Sequence, residues 1–306
     1  MLAVVSLQPA LVRVEFLGGL SEDGGHEVLA AHFEAGGYGL TAARLLRALG
    51  QPVVFIGLAG GPMVELLCEG LRDERIEERL LDAEAALPTI VRQHSWDGTG
   101  RLVSRTFPGV PARASGDELC RLVAGVDALD EVDGIIVCGE SPSAGSDFAA
   151  REIVRRAKRR AIPVVMQPDG GIIVEGAAGG PGHVVLRRRC YVEALESGGL
   201  REEALLERLF DAGGESLVIT NGPELVEVIT PSGREFAQPA TASDRGGESA
   251  REALAAGLLL KLADGWDTWA AVCYGVGAGT AQTQKEVHGR LSLAEVDGFY
   301  SQVRKV

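Results

Sequence analysis

The sequence predicts an α/β fold with a doubly wound, mostly parallel sheet, and three observations support that prediction. Short apolar runs alternate with segments of helical period, which is the βαβ rhythm of such sheets. The apolar runs suit parallel strands that are covered on both faces. With 306 residues, 46% of them hydrophobic, the chain can also bury one large core.

The predicted elements follow one another in a regular order. Apolar runs predict strands over 2–7, 52–57, 134–139, 163–167, 183–186 and 216–220. Helical periodicity predicts helices over 40–49, 63–75, 116–128, 146–161 and 201–212. A strand pair that turns at Pro231–Ser232–Gly233 then precedes helices near 247–263, 267–282 and 292–304. We therefore expect one α/β domain over residues 1–306.

Two further segments, roughly 11–33 and 89–107, alternate apolar and polar residues with a period of two. This pattern is typical of strands with one face in water. The Asp97–Gly98 pair in the second segment favours a tight hairpin turn. Together the two segments predict a small antiparallel β lid beside the main sheet.

Charge and cysteine usage narrow the class of protein. There are 43 acidic and 30 basic residues, for a formal net charge of −13, so we expect neither nucleic acid nor an anionic membrane as a partner. The five cysteines are spread along the chain without a C-x-x-C pair, which argues against a disulfide framework and favours the cytoplasm. The apolar amino terminus is broken by polar residues, so neither a signal peptide nor a spanning helix is predicted. No histidines stand at metal-ligand spacing, so no structural metal site is expected.

Residues 34–57, EAGGYGLTAARLLRALGQPVVFIG, place three glycines ahead of a predicted helix. Residues 37–42, GYGLTA, fit the G-x-G-x-x-A fingerprint of dinucleotide-binding folds. That fingerprint needs an acidic residue about 20 positions later to hold a ribose. Residues 57–61, GLAGG, contain none, so the match to a dinucleotide site is weak.

The same loop resembles the GGKG loop of the ribokinase-like sugar kinases, the phosphofructokinase B family, especially its hexose-phosphate kinase branch. Residues 6–14, SLQPALVRV, are similar to the opening TLNPALDRT of that branch, and residues 36–50, GGYGLTAARLLRALG, to GGKGINVARALARLG. Residues 139–145, GESPSAG, are similar to GSLPPG, and residues 219–228, ITNGPELVEV, to SLGADGALLV beside the nucleotide. The resemblance covers nearly the whole chain. It implies a ribokinase-like fold and an ATP-dependent phosphotransferase that acts on a sugar or sugar-phosphate hydroxyl, with Mg²⁺ accompanying the ATP.

The resemblance also implies an acceptor site and a nucleotide site. The acceptor would contact Gln8, Gly36, Gly37, Tyr38, Gly39 and Thr41. The nucleotide would contact Arg187, Thr220 and Gly222. Glycines allow backbone to approach a ligand closely at a helix amino terminus, although these three could instead only form a tight strand-to-helix turn. The basic cluster RRRC at 187–190 could likewise be a solvated strand end.

In the family, a G-A-G-D signature opens a long helix, where its amides form an anion hole and its aspartate is the catalytic base. The corresponding residues are Arg245, Gly246, Gly247 and Glu248. Glu248 would then be the base, and the other three residues would surround the transferred phosphate. The alternative is an ordinary helix start, capped by Ser243 or Asp244, with Glu248 in the first turn.

Several departures from the family pattern favour a second hypothesis, a catalytically impaired relative that acts as a ligand-binding or regulatory protein. Tyr38 replaces the lysine of the loop, Thr41 and Gln8 replace asparagines, and Val12 replaces the sugar-binding aspartate. Val12 cannot hydrogen-bond a sugar hydroxyl. Lids of the family often pair between subunits, so the resemblance also implies a homodimer through the lid.

Overall fold

The computed structural model describes residues 1–20, 25–96, 102–139, 145–168, 176, 178–199, 201–221, 225–241, 247–285 and 291–306. Two β-sheets organise these residues. The larger sheet contains β1 (Leu2–Ser6), β4 (Val53–Ala59), β5 (Glu77–Asp82), β8 (Gly134–Gly139), β9 (Val164–Pro168), β10 (His183–Arg187), β11 (Ser216–Thr220), β12 (Val226–Thr230), β13 (Gly233–Gln238) and β14 (Arg304–Lys305). The smaller sheet contains β2 (Pro9–Leu20), β3 (His26–Gly37), β6 (Thr89–Trp96) and β7 (Leu102–Phe107).

The larger sheet has the strand order β14-β13-β12-β11-β10-β9-β8-β1-β4-β5. From β5 to β11 all neighbours pair in parallel, whereas β12, β13 and β14 are antiparallel. The chain adds strands on one side of β1 first and on the other side later. The sheet is therefore doubly wound, and its topological switch point lies between β1 and β8, where such sheets form a crevice at the carboxyl ends of their strands.

Helices cover both faces of the larger sheet. One layer contains α1 (Leu40–Ala48), α2 (Val64–Asp73), α7 (Gly247–Ala263), α8 (Thr268–Thr283) and α9 (Leu293–Tyr300). The other contains α3 (Gly116–Asp127), α4 (Ser146–Arg159), α5 (Arg188–Gly198) and α6 (Glu202–Asp211). Alternate residues of β1 pack into the two layers, Val4 against the first and Val5 against the second. None of the helices in the described ranges is long and apolar enough to cross a membrane.

The structure confirms the predicted fold class and adds three elements. The helix predicted near 292–304 ends at Tyr300, and the two-residue strand β14 follows it. Strand β5, with the sequence EERLLD, was missed because it is a half-exposed edge strand rich in charge. Helix α5 was missed because it begins within the basic cluster at 187–190. In the smaller sheet, β2–β3 and β6–β7 are antiparallel pairs, and a parallel β2–β6 pair joins them. The predicted turn at Asp97–Gly98 lies outside the described residues.

His183 is a buried titratable group at the amino end of the sheet. Its ring is 2% exposed, and its Nδ1 lies 2.9 Å from Ser216 Oγ on the neighbouring strand. Burial lowers the pKa of His183 from 6.5 to about 4, since burial disfavours the charged imidazolium. Glu215 Oε2 lies 3.7 Å from Nε2, and the Glu215 side chain is 62% exposed. The folded protein therefore keeps His183 neutral down to a pH of about 4.

We expect acid to destabilise the fold through His183. Because the unfolded state binds this proton more tightly, the free energy of unfolding should fall as pH drops from 6.5 towards 4, by up to about 3 kcal/mol. His183→Asn, which can keep a hydrogen bond to Ser216, should lose this part of the pH dependence. Denaturant titrations at several pH values between 7.5 and 4.5 measure it. If the free energy of unfolding depends on pH equally in the variant and the wild type, His183 is not the source of this pH dependence.

Candidate functional site

The carboxyl ends of the parallel strands bring acceptor and nucleotide candidates to one edge of the sheet. Gln8 is buried just after β1 ends at Ser6. Arg187 and Thr220 end β10 and β11 and are direct partners in the parallel ladder. Three strand spacings separate β1 from β10, which corresponds to about 14 Å. The acceptor and nucleotide candidates thus lie on different strands of one sheet.

The glycine loop is formed by the end of β3 and the start of α1. Gly36 and Gly37 are the last residues of β3, and Gly39 is the N-cap of α1. A Cβ would lie 2.3 Å from Val12 Cγ2 at Gly36, 2.6 Å from Ala10 N at Gly37, and 2.8 Å from Val4 Cγ1 at Gly39. Gly37 and Gly39 also have φ of +89° and +84°, which favours glycine. Close packing of the chain is therefore sufficient reason for all three glycines.

The side chains that depart from the family pattern line this loop with apolar surface. Val12, at 3% exposure, packs directly against Gly36. Tyr38 is half-buried against the core layer that contains α1. Neither side chain carries a charge, so the loop presents a less polar wall than the family pattern implies.

The first turn of α1 is capped by a side chain from a distant helix. Gly39 has no side chain, and the first turn of α1 contains no acidic residue. The amides of Thr41 and Ala42 instead donate to Glu252 Oε2 at 2.8 and 3.3 Å. Glu252 lies in α7 and is 4% exposed. Helix α7 is thus bonded to the glycine loop.

Arg251, the residue before Glu252, connects α7 to the carboxyl end of β9, a central strand of the larger sheet. Arg251 is 1% exposed, and its Nη1 donates to the carbonyl oxygen of Pro168, the last residue of β9. Strand β9 lies between β1 and β10. The amino-terminal part of α7 therefore lies between the acceptor and nucleotide candidates.

Some of the predicted site residues lie outside the described residues. These are Arg245 and Gly246 of the presumed anion hole, and Gly222 of the nucleotide site. Gly247 is the first residue of α7. The backbone of Glu248 belongs to the same helix, but its side chain is not described. The catalytic roles of these residues stay predictions.

Sequence reasoning missed Glu252 as a site residue. It follows Glu248 by four positions in the sequence of the same helix. The available signal was the pair Arg251–Glu252 at the head of a run, residues 253–260, that is otherwise apolar or Gly. Charged residues in such a position are rarely buried without a partner.

A row of uncharged polar side chains underlies the loop. Ser6, Cys138 and Gln167 are consecutive partners across β1, β8 and β9, and all are buried. Cys138 Sγ lies 3.5 Å from Gln167 Oε1, and it would be 3.2 Å from a Cβ at Gly39. Within the described part of the chain, Ser6 Oγ and Gln167 Nε2 have no hydrogen-bond partner. The carboxyl ends of β1, β8 and β9 therefore carry polar but uncharged atoms near the glycine loop.

The basic cluster at 187–190 divides into different environments. Arg188 forms an ion pair with Glu227, a residue of β12 whose side chain is 4% exposed. Arg234 also binds Glu227, with Nη1 2.7 Å from Oε1. Arg189 is 85% exposed and pairs only with Glu193 of its own helix among the described contacts. The interpretation of the basic cluster as a solvated strand end therefore fits Arg189. Arg188 instead belongs to an ion-pair network beside the nucleotide candidates.

Metal ligands are a separate question. Among the residues that the structure describes, no group of three or more His, Cys, Asp or Glu side chains could hold a metal ion.

The packing around Gly39 is testable by comparison with Gly50. Both have φ of +84°, but a Cβ at Gly50 would meet nothing within 4 Å. Gly50→Ala should cost about 1 kcal/mol of unfolding free energy through backbone strain. Gly39→Ala should cost a further ~1–3 kcal/mol because its Cβ enters packed atoms. Denaturant unfolding of both variants measures the difference, and equal losses would contradict the packing explanation.

Known proteins were compared with this chain by sequence and by structure. No protein-family profile and no curated protein sequence matches it. Solved structures do match along almost its whole length. Phosphofructokinase-2 from Escherichia coli superposes with a TM-score of 0.82 at 19% identity in its tetrameric inhibited form, and 0.80 at 20% with fructose 6-phosphate, each over 98% of both chains.

Two further structures give the same result. A possible 1-phosphofructokinase from Thermotoga maritima has a TM-score of 0.79 at 19% identity, over 100% of this chain and 99% of that one. A carbohydrate kinase from Agrobacterium tumefaciens has a TM-score of 0.72 at 20% identity over 100% of both chains. At these identities the likeness establishes the fold. The chain has the ribokinase-like fold of these sugar kinases.

Proposed function

We propose that the protein is an ATP-dependent phosphotransferase that acts on a hydroxyl of a sugar or sugar phosphate. The observation that carries this proposal is the arrangement along the edge of the sheet. Gln8 and the glycine loop lie at one end, Arg187 and Thr220 at the other, and α7 between them. The proteins of the same fold include one solved with fructose 6-phosphate, which supports a sugar-phosphate acceptor as one candidate.

The roles of the residues follow from the resemblance and from this arrangement. The acceptor would contact Gln8, Gly36, Gly37, Tyr38, Gly39 and Thr41. The nucleotide, with its Mg²⁺, would contact Arg187, Thr220 and Gly222. Arg245, Gly246 and Gly247 would surround the transferred phosphate. Glu248 would be the catalytic base.

The proposed reaction needs positioning more than covalent chemistry. The base takes the proton from the acceptor hydroxyl, the hydroxyl oxygen bonds to the γ-phosphorus of ATP, and the bond to the β-phosphate oxygen breaks to release ADP. Amides at the start of α7 would stabilise the charge on the transferred group. The position of α7 between the two candidate sites supports this division of labour.

A second candidate function is a catalytically impaired relative that binds a ligand or regulates a partner. The packing of Val12 against Gly36 favours it, because no carboxylate stands there to hold a sugar hydroxyl. The two candidates differ in turnover, since both retain a binding site.

Turnover is the decisive measurement. We expect ADP formation with at least one acceptor from a panel of fructose phosphates, tagatose 6-phosphate, ribose and nucleosides. Glu248→Gln should lower kcat by about 10²- to 10⁴-fold, because it removes the base. Glu203→Gln, on an exposed site in α6, is the matched control and should keep wild-type turnover.

The same panel separates the alternatives. ATP that raises the melting temperature without any turnover supports the impaired relative, since saturating ligand at 100 times its Kd adds roughly 2.7 kcal/mol. Loss of turnover in Glu252→Gln but not in Glu248→Gln would move the base to Glu252. Neither nucleotide binding nor turnover would overturn both candidate functions.

We also propose that the smaller sheet pairs with that of a second copy. One row crosses its four strands, in which Phe33 pairs with Arg13, Arg13 with Val91, and Val91 with Phe107. Direct partners project from the same face. Phe33 is 44% and Phe107 49% exposed. Exposed aromatic side chains on one face of a sheet suit a protein interface.

Positive charge introduced on this face by mutation should dissociate the dimer. We expect the wild type to elute as a dimer in size-exclusion chromatography with light scattering. Phe33→Lys together with Phe107→Lys should shift it to a monomer, because the interface would have to bury two charges. Phe148→Lys, at 47% exposure on α4, is the matched control and should stay dimeric. A monomeric wild type would contradict this proposal.

A further inference from the structure

An open cavity of about 560 Å³ lies along helices α1 and α2. Its volume falls within the range of about 300–1,000 Å³ that is usual for small-molecule sites. Thr41, Arg44 and Ala48 line it from α1, and their i, i+3, i+7 spacing places them on one helix face. The cavity therefore follows α1 from its first turn to its last.

The far end of this cavity lies at the opposite edge of the sheet from the candidate functional site. Helix α1 leads into β4 and helix α2 leads into β5, and these two strands are parallel neighbours. Arg47 is in the last turn of α1, and Arg75 follows α2 directly after its C-cap. Both arginines line the cavity, and both precede the amino ends of these strands. Helix α1 rises about 9 Å between Thr41, beside the glycine loop, and Arg47.

Ion pairs fix the wall of the cavity between its two ends. Arg44 donates from Nε and Nη2 to the two carboxylate oxygens of Glu74, each at 2.7 Å. The same Nη2 lies 3.2 Å from the carbonyl oxygen of Ala35, so Arg44 joins α1 to β3 and to the end of α2. Glu34, which also lines the cavity, pairs with Arg92 at 3.3 Å. The charges of both glutamates are therefore balanced within the protein.

Two arginines of the cavity have no carboxylate partner in the described part of the chain. Arg47 is half-buried and makes one side-chain hydrogen bond there, from Nη1 to the carbonyl oxygen of Gln51 at 2.6 Å, while its Nε makes none. Arg75 is exposed, and its side chain forms neither an ion pair nor a hydrogen bond with the described residues. Asp73 lines the same cavity without a cation partner in those ranges. Two positive charges and one negative charge thus stay uncompensated, on a chain with a net charge of −13.

Helix dipoles account for only part of this arrangement. A cation near the carboxyl end of a helix is favourable, which explains one arginine on each of the two helices. It does not explain why both arginines line one cavity whose glutamates are already paired. An anionic ligand would supply the partner that both guanidinium groups lack.

We propose that this cavity binds a compact polar metabolite through one oxyanion group, a phosphate or a carboxylate, held by Arg47 and Arg75. The planar fork of a guanidinium group fits both kinds of oxyanion. Asp73 would accept a hydrogen bond from a hydroxyl or amino group of the same ligand. Asp73 and the negative charge of the chain also oppose larger polyanions. The inference does not rest on the proposed function, because the anion would bind at the other end of α1 from the glycine loop.

Calorimetry with three probes tests this site without ATP or turnover. Glycerol 3-phosphate and glycerate present a phosphate and a carboxylate on a three-carbon chain, so they distinguish the two kinds of oxyanion, and inorganic phosphate tests the anion alone. We expect at least one probe to bind the wild type with millimolar or higher affinity. Arg75→Gly should weaken that probe at least about tenfold, because it removes a charge-assisted contact.

Two control variants separate this effect from strain and from net charge. Arg75 has φ of +57° and Ala161 has φ of +55°, so Ala161→Gly relieves the same backbone strain outside the cavity. Arg159→Gln removes a positive charge from an exposed site on α4. Both controls should bind the probe as the wild type does. Arg75→Gly should keep a melting temperature near that of the wild type, because relief of strain offsets the greater freedom of glycine in the unfolded chain.

The outcomes distinguish a ligand site from helix capping alone. If the arginines only stabilise helix ends, Arg75→Gly leaves the affinity of every probe unchanged, and that result would overturn the proposal. Absence of binding of all three probes to the wild type would overturn it as well. Arg47→Gln should also weaken the bound probe, and full affinity in this variant would rule out the two-arginine site. Lack of turnover in the sugar panel would count against the kinase proposal alone, because the probes are measured without ATP.

Discussion

Two hydrogen bonds from the first turn of α1 to Glu252 hold the candidate site together. They connect the strand–helix turn after β3 to α7, the helix that also reaches the end of β9 through Arg251. Gly39, the N-cap of α1, has no side chain to accept these hydrogen bonds, and Glu252 accepts them instead. A helix that begins without its own cap thus fixes the position of another helix that lies more than 200 residues later. The arrangement of the edge follows from that single constraint.

The glycine loop illustrates why a motif does not by itself identify a ligand. Each of its glycines meets protein atoms where a Cβ would lie, including backbone atoms of Gln8 and Ala10 beside Gly37. The chain needs these glycines to bring β2, β3 and α1 together, whether or not a ligand approaches. The motif therefore reports the fold reliably. Chemistry depends on the side chains around it, where Val12 and Tyr38 depart from the family pattern.

Sequence reasoning located most strands and helices to within a few residues because the buried strands are continuous apolar runs. It failed at β5, where a half-exposed edge strand mixes charge with apolar residues, and at α5, whose first turn is basic. Arg187 and Thr220 could be placed at strand ends, since β10 and β11 end in polar residues after apolar runs. The contact of Glu252 with α1 could not be derived, because no local pattern encodes a partner 211 residues away. Long-range contacts of this kind depend on the packing of complete elements.

Charge is distributed asymmetrically over the carboxyl ends of the strands of the larger sheet. Arg187 and Arg188 stand at the end of β10, and Arg188 keeps its position through Glu227. Ser6, Gln8, Cys138 and Gln167, at or just beyond the ends of β1, β8 and β9, are uncharged. Between them, α7 presents its amino terminus, whose dipole favours negative charge.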